Sequence, residues 1–238
     1  MKKTSYSLIQ AAEEKKIQDI KQIFSMHKAE YSVLSPETAV LNWANPMNGN
    51  YAIRYIFDRN ALIVTGDADN AVFEFKDTAD FETIATKYTL DHFMSKCSVG
   101  MQTEFNKRAA ACRLIEGFLS EQINYAPAEV VKRYKNDNSY AADSEIAVML
   151  ITYLNLNSVG DECLRKELSK AVLAILTEFD TARDWEYILD TEFYDVLSDY
   201  DADCGEWIYQ IGKEYKVQSI AWYIGLQMAY RQVYSEGK

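Results

Sequence analysis

The sequence predicts an α+β fold, in which a small antiparallel β-meander flanked by helices is followed by a larger all-helical region. Three observations lead to this prediction. The 238 residues include only 9 Gly and 3 Pro, which favours long regular elements over loops. Short runs rich in β-branched and aromatic residues follow one another between residues 51 and 75. From about residue 80 onward, apolar residues recur at helical spacing.

Two helices are predicted before the meander. Residues 1–30 are predicted to form an N-terminal arm or docking helix, helical from residue 7 onward, with a thin apolar stripe among charged residues. Ser35, Pro36 and Glu37 have the features of a second helix start. Ser35 can cap the helix, Pro36 suits its first position, and Glu37 complements the positive end of its dipole. The side chains that this second helix would direct inward are Ala39, Val40 and Trp43.

The predicted meander has three strands, at residues 51–57, 61–65 and 71–75. The turns between them are three and five residues long by this assignment, and such short connections require antiparallel pairing. Because a three-stranded sheet with one apolar face needs a cover, flanking helices are expected to complete an α+β domain over residues 31–100.

Only helices are predicted after about Asp80, and residues 101–238 are expected to form a helical domain. The predicted segments are 81–88, 90–94, 103–122, one that begins at residues 125–127, 142–154, 160–178 and 218–234.

Charge is distributed unevenly along the chain. The formal net charge is −11, from 36 acidic and 25 basic residues. Eleven of the acids lie in residues 178–206, where Arg183 is the only base, so this acidic segment carries nearly all of the net charge. A negative protein is repelled by nucleic acid and by anionic membranes, so neither is expected as a direct ligand.

The acidic segment also contains an apolar stripe of helical period, with acids on both of its sides. The stripe consists of Trp185, Leu189, Phe193, Val196 and Tyr200. One interpretation is a solvated face beside a core stripe. Another is a site for a basic surface on a protein partner, with mimicry of DNA phosphates as a special case. In that hypothesis Asp195, Asp199, Asp201 and Asp203 supply charge, and Trp185 and Tyr200 serve as aromatic anchors.

A calcium loop is the third interpretation of the acidic segment. Asp199, Asp201 and Asp203 match positions 1, 3 and 5 of an EF-hand loop. The glycine required at position 6 is Cys204, and the glutamate required at position 12 is Gln210. Because both positions are mismatched, the sequence disfavours a calcium loop. No metal or other cofactor is predicted.

Two further sites offer an enzymatic alternative. Asp67 and Asp69 follow Gly66 in a DxD arrangement that can hold a divalent metal or a nucleotide, although a polar turn between strands also explains both residues. Cys97 lies near His92 and could form a nucleophilic dyad, or it could be a buried structural cysteine. The chain contains no P-loop, GxGxxG, HExxH or GxSxG motif, and we predict that it is not an enzyme.

The remaining sequence features favour a cytoplasmic protein with free thiols. The four cysteines include no CxxC pair, so zinc-site spacing is absent. The start of the chain has no sustained apolar run typical of a secretory signal, and no window reaches the length of a membrane span.

Several short motifs occur in the order Ser35-Pro36-Glu37-Thr38-Ala39, Tyr51-Ala52-Ile53-Arg54-Tyr55-Ile56-Phe57, Gly66-Asp67 and Ser95-Lys96-Cys97. In this order they resemble a family of small phage- and prophage-encoded proteins. The resemblance covers roughly residues 33–100 and associates the chain with anti-defence proteins of the anti-Gabija type. It implies a non-enzymatic inhibitor, which can act as a homo-oligomer, in the cytoplasm of an infected bacterial host. It supplies no active-site residues, and the acidic segment lies outside it.

Together these features predict a phage-encoded anti-defence protein that binds and inhibits a bacterial immune complex. Its acidic surface would block access of nucleic acid to a basic surface of that complex. Two alternatives remain: a metal- or nucleotide-binding protein or enzyme that uses Asp67 and Asp69, and a phage structural or assembly protein.

Overall fold

The computed structural model of the protein describes residues 5–100, 103–119, 127, 131, 142–156 and 161–235. The chain divides into two compact units. The sheet unit consists of residues 11–103 together with residues from 215 onward, and the helical unit consists of residues up to 10 together with residues 104–214. The predicted α+β fold class is confirmed, because an antiparallel sheet with helices is accompanied by a helical region.

In chain order, the described helices and strands are α1 (Ser5–Ile23), β1 (Lys28–Ser35), β2 (Thr38–Ala44), β3 (Ile53–Asp58), β4 (Ala61–Gly66), β5 (Ala71–Glu74), α2 (Phe81–Lys87), α3 (Leu90–Met94), β6 (Cys97–Val99), β7 (Thr103–Phe105), α4 (Lys107–Leu119), α5 (Asp143–Leu156), α6 (Glu162–Thr177), α7 (Ala182–Ile188), a π-helical segment (Leu189–Phe193), α8 (Tyr194–Ser198), β8 (Lys213–Tyr215) and α9 (Val217–Ser235).

The main sheet has six antiparallel strands whose spatial order is their order in the sequence, β1 to β6. The three predicted strands correspond to β3, β4 and β5 and are confirmed. The prediction of helices alone after Asp80 is wrong, because β6 extends the sheet and β7 pairs with β8 in a second, two-stranded sheet.

The helix predicted from Pro36 is also wrong, because that segment forms the hairpin of β1 and β2. The hydroxyl of Ser35 accepts a hydrogen bond from the Glu37 backbone at 3.2 Å, so it stabilises a turn and not a helix start. β2 pairs with six consecutive residues of β3, and Ala39, Leu41 and Trp43 point to one buried face. This long-range pairing outweighs a capping preference of about 1 kcal/mol.

One face of the sheet packs against α2, α3 and α9. The Tyr55 hydroxyl donates to the Trp222 carbonyl at 2.9 Å, and the Trp222 indole donates to the Ala68 carbonyl at 2.8 Å. A Cβ atom at Gly225 would collide with the Tyr55 hydroxyl, so glycine allows α9 to approach the sheet closely. The predicted helical domain over residues 101–238 is therefore corrected, because its last helix contributes to the core of the sheet unit.

The prediction of an N-terminal arm is corrected in the same way. α1 ends at Ile23, and β1 begins at Lys28, within the range predicted to be helical. Ile20 and Phe24 are buried in the sheet-unit core. The end of α1 is therefore part of that core and not a free arm.

The helical unit has its own hydrophobic core, formed by the apolar faces of α4, α5 and α6 with α7 and α8. The predicted helices at 142–154 and 160–178 correspond to α5 and α6. The helix predicted over 103–122 begins only at Lys107, because residues 103–105 form β7. The helix predicted from residue 125 lies almost entirely outside the described residues.

Candidate protein-binding site

The acidic segment begins at the N-terminus of α7 with a reciprocal cap. Asp184 donates its backbone N–H to the Thr181 hydroxyl at 3.2 Å, and its carboxylate accepts the Thr181 backbone N–H at 2.8 Å. Hydrogen bonds from Thr181 and from the Asp180 backbone hold the pKa of Asp184 below its usual value. This carboxylate therefore stabilises a helix start, where negative charge is favourable.

The π-helical segment shifts the apolar stripe by one residue. A π turn contains an extra residue relative to an α turn, so each following side chain rotates back around the axis. The buried positions are consequently Trp185, Leu189, Phe193 and Leu197. The prediction that Val196 completes the stripe is wrong, because Leu197 takes its place.

Trp185 is a core residue, and its predicted role as an exposed anchor needs correction. Its side chain is 0% exposed, and its indole N–H donates to the Ile208 carbonyl at 3.0 Å. The ring lies near those of Phe179 and Phe193, with centroids 6.4 and 6.5 Å away. A partner cannot contact this indole without opening the helical unit.

Tyr200 remains accessible, with 40% of its surface exposed. Its hydroxyl lies 3.2 Å from the carboxylate of Asp161, which also caps α6 by accepting the Cys163 backbone N–H at 2.6 Å. A hydrogen bond with the Cys163 side chain, desolvation and the neighbouring Asp161 charge raise the pKa of Tyr200 to about 12. The ring is thus neutral at physiological pH, as an amphipathic anchor requires.

Four further carboxylates of the segment, besides that of Asp184, are engaged within the helical unit. Asp180 pairs with Lys107, and Glu186 pairs with Lys213, both at 2.7 Å. Asp190 accepts the Tyr209 hydroxyl at 2.5 Å, and this hydrogen bond is the main cause that raises the pKa of Tyr209 to about 12. Asp201 accepts the Asp203 backbone N–H at 3.0 Å and the Trp207 indole N–H at 3.3 Å. Asp201 therefore organises the loop after α8.

Six carboxylates of the segment are exposed and form no ion pair with any residue that the structure describes. These six, which we call the free carboxylates, are Glu178, Glu192, Asp195, Asp199, Asp203 and Glu206. They include three of the four acids predicted to supply charge to a partner.

The calcium interpretation gains no support from the loop geometry. Both carboxylate oxygens of Asp201 are used by donors of the protein itself. Among the described residues, no group of three or more His, Cys, Asp or Glu side chains is arranged to hold a metal ion.

Asp67 and Asp69 lie between β4 and β5, and both carboxylates accept hydrogen bonds from the backbone. The Asp67 carboxylate accepts the Ala52 backbone N–H at 3.1 Å, and the Asp69 carboxylate accepts the Asn70 backbone N–H at 2.9 Å. Asp69 has a φ of 73°, a left-handed conformation that Asp tolerates better than most residues. The turn accounts for Asp69, and the contact with Ala52 just before β3 accounts for Asp67.

Cys97 and His92 lie in neighbouring elements of the sheet unit. The Cys97 thiol, at the start of β6, donates to the Val99 carbonyl at 3.2 Å. The His92 ring, in α3, stacks on Tyr88 with centroids 4.2 Å apart. These contacts give both side chains a structural role.

Tyr187 is an exposed aromatic residue that the helical pattern did not single out. It lies on α7 with 67% of its surface exposed. Its position in the sequence indicates this exposure, because a residue two positions after the buried Trp185 points to a different face of the helix. With Tyr200, it supplies the accessible aromatic surface that Trp185 does not.

Comparisons with models of known protein families, with curated proteins and with solved structures find no match to this chain. The resemblance to phage anti-defence proteins therefore stays a prediction. None of the described helices combines the length and the apolar character that a membrane crossing requires.

Proposed function

We propose that the protein is a phage-encoded, non-enzymatic inhibitor that binds a bacterial immune complex through its acidic segment. The free carboxylates carry this proposal. Only two of the eleven acids in the segment pair with a described basic side chain, so most of its charge is available to a partner.

The arrangement of these charges favours a basic partner. Asp195 and Asp199 are four residues apart on one helical turn, where two like charges cost about 0.2–0.5 kcal/mol. Basic side chains of a partner that contact both carboxylates attract each of them and so offset this repulsion. A surface with charge of one sign also raises the rate of association with an oppositely charged partner, by about 10- to 1000-fold where electrostatic attraction guides the encounter.

Inhibition would follow from competition with nucleic acid. Carboxylates spaced along a surface present the same kind of negative charge as a phosphate backbone, and a basic channel that accepts one can accept the other. Tyr187 and Tyr200 would add aromatic contacts beside the charges. The immune complex would then remain intact but unable to bind its nucleic acid.

The test is a pull-down with the tagged full-length chain from bacterial host lysate. The variant Asp195→Lys/Asp199→Lys/Asp203→Lys is compared with a control, Glu14→Lys/Asp19→Lys/Asp77→Lys, which changes the net charge equally at exposed sites of the sheet unit. We expect the wild type and the control to retain a nucleic-acid-binding protein at about 0.05 M salt and to lose it at about 0.5 M. The first variant should not retain it at either salt concentration.

A competition assay then tests inhibition. The wild-type chain should displace labelled DNA or RNA from the captured protein, and the Asp195/Asp199/Asp203 variant should not. Equal capture by both triple variants would contradict the proposal. Co-purification with virions would instead support the phage structural or assembly alternative.

A further inference from the structure

The face of the main sheet opposite the helix-covered core carries a continuous apolar row. Strand pairing places Val40 beside Ile56, Ile56 beside Ile63 and Ile63 beside Val72. Val72 lies beside Val99, at a register shift between β5 and β6. The row therefore crosses five neighbouring strands, β2 to β6. We call these five residues the open-face row.

Neither hydrophobic core of the described residues includes a member of this row. Val99 is 62% exposed, Ile56, Ile63 and Val72 are partly exposed, and only Val40 is buried, at 7%. A solvated face of an antiparallel sheet normally carries polar side chains. A row of β-branched aliphatic side chains on such a face is typical of a surface that packs against another one.

The two rows that flank the apolar row are mostly polar, and their central charges differ. One row consists of Glu30, Asn42, Arg54 and Thr65, with Arg54 on the central strand β3. The other consists of Thr38, Asp58, Ala61 and Glu74, with Asp58 on β3. Arg54 and Asp58 are both exposed, and neither forms an ion pair with a described residue.

The two charges cannot neutralise each other within one molecule. They are four residues apart on β3, so their Cα atoms are separated by about 13 Å along the strand. Ile56 lies between them at the centre of the row.

We propose that the open face is the interface of a symmetric homodimer, in which the sheets of two copies pack face to face. A twofold axis along the open-face row places each aliphatic residue opposite its own counterpart. The same axis reverses the strand direction, so Arg54 of each copy lies opposite Asp58 of the other. Asn42 meets Thr38 in the same way, and the face is complementary to itself, as an isologous interface requires.

A second copy fits this face better than an unrelated partner, because one rotation matches the apolar row and both charges of the central strand β3 together. Packed sheets lie about 10 Å apart, a gap that Arg and Asp side chains can span. Six strands about 4.8 Å apart give a face only about 24 Å wide, which is small for a stable dimer. We therefore expect dissociation in the micromolar range.

The test is sedimentation equilibrium of the full-length chain from about 1 to 200 µM, the range in which an interface of this size dissociates. The single variants Arg54→Asp and Asp58→Arg each place like charges opposite one another, and each should weaken dimerisation by tenfold or more. An equimolar mixture of the two should form a heterodimer, since every opposed pair is then complementary. The double variant Arg54→Asp/Asp58→Arg should dimerise like the wild type.

Two aliphatic substitutions complete the test. Val99→Lys, at the exposed end of the row, should weaken the dimer. Val148→Lys, at a similarly exposed site on α5, should not. Circular dichroism of each variant verifies its folding. A wild type that is monomeric at 200 µM would overturn the proposal, as would a dimer insensitive to Arg54→Asp or a mixture without heterodimer.

Discussion

At the scale of single residues, burial decides what a side chain can do. The His27 ring packs against those of Phe24 and Trp43, with centroids 4.7 and 5.4 Å away, and its Nε2 is 3.2 Å from the Tyr51 carbonyl. Burial lowers the pKa of His27 below its ordinary value of 6.5. Burial also determines the role of Trp185, because a side chain inside the core cannot contact a partner.

The His27 environment predicts a loss of stability in mild acid. Because the folded chain binds this proton less readily than the unfolded chain, stability is fully present above pH 6.5 and declines as the pH falls below it. We expect the wild type to lose up to about 1 kcal/mol more than His27→Gln between pH 7.5 and 5.5. Urea unfolding at the two pH values measures this difference, and equal losses would contradict the assignment.

At the scale of elements, the π-helical segment sets the register of the acidic segment. The sequence alone predicts regular helical spacing, and on that basis Val196 and Trp185 belong to the same stripe. The extra residue in the π turn moves the buried position to Leu197. The exposed faces that carry Asp195 and Asp199 shift with it.

This register predicts unequal costs for two neighbouring substitutions. Leu197→Ala removes a fully buried side chain and should destabilise the chain by about 2–5 kcal/mol. Val196→Ala, at a partly exposed site, should cost less than about 1 kcal/mol. Chemical denaturation followed by circular dichroism measures both, and a larger cost at Val196 would restore the regular-helix interpretation.

At the scale of the whole molecule, the sheet unit is assembled from distant parts of the chain. The helical unit lies between them in the sequence, and α9 returns to pack on the sheet. The Trp222 and Tyr55 hydrogen bonds join residues more than 150 positions apart. The helical pattern of residues 218–234 was visible in the sequence, but its packing partner was not.

The discontinuous unit predicts that its folding requires the C-terminal helix. A chain that ends at Lys216 lacks Trp222, Ile224 and Leu226 of the core. Because the whole apolar face of the sheet then loses its cover, we expect the sheet unit to unfold and residues 11–103 to become sensitive to trypsin. Arg231→Ala, on the exposed side of α9, is the control and should leave protease resistance unchanged. Resistance in the truncated chain would refute the assignment of α9.

Local sequence was sufficient to predict the central strands β3 to β5, the helices α5 and α6 and the concentration of charge in residues 178–206. These features depend on local periodicity and composition, and both can be read from residues that are close together in the sequence. Only the tertiary contacts show that Thr38–Ala44 forms a strand, that Trp185 is buried and that α9 covers the sheet. Each of these depends on contacts between residues far apart in the chain, and their combined energy exceeds the local preferences that the sequence displays.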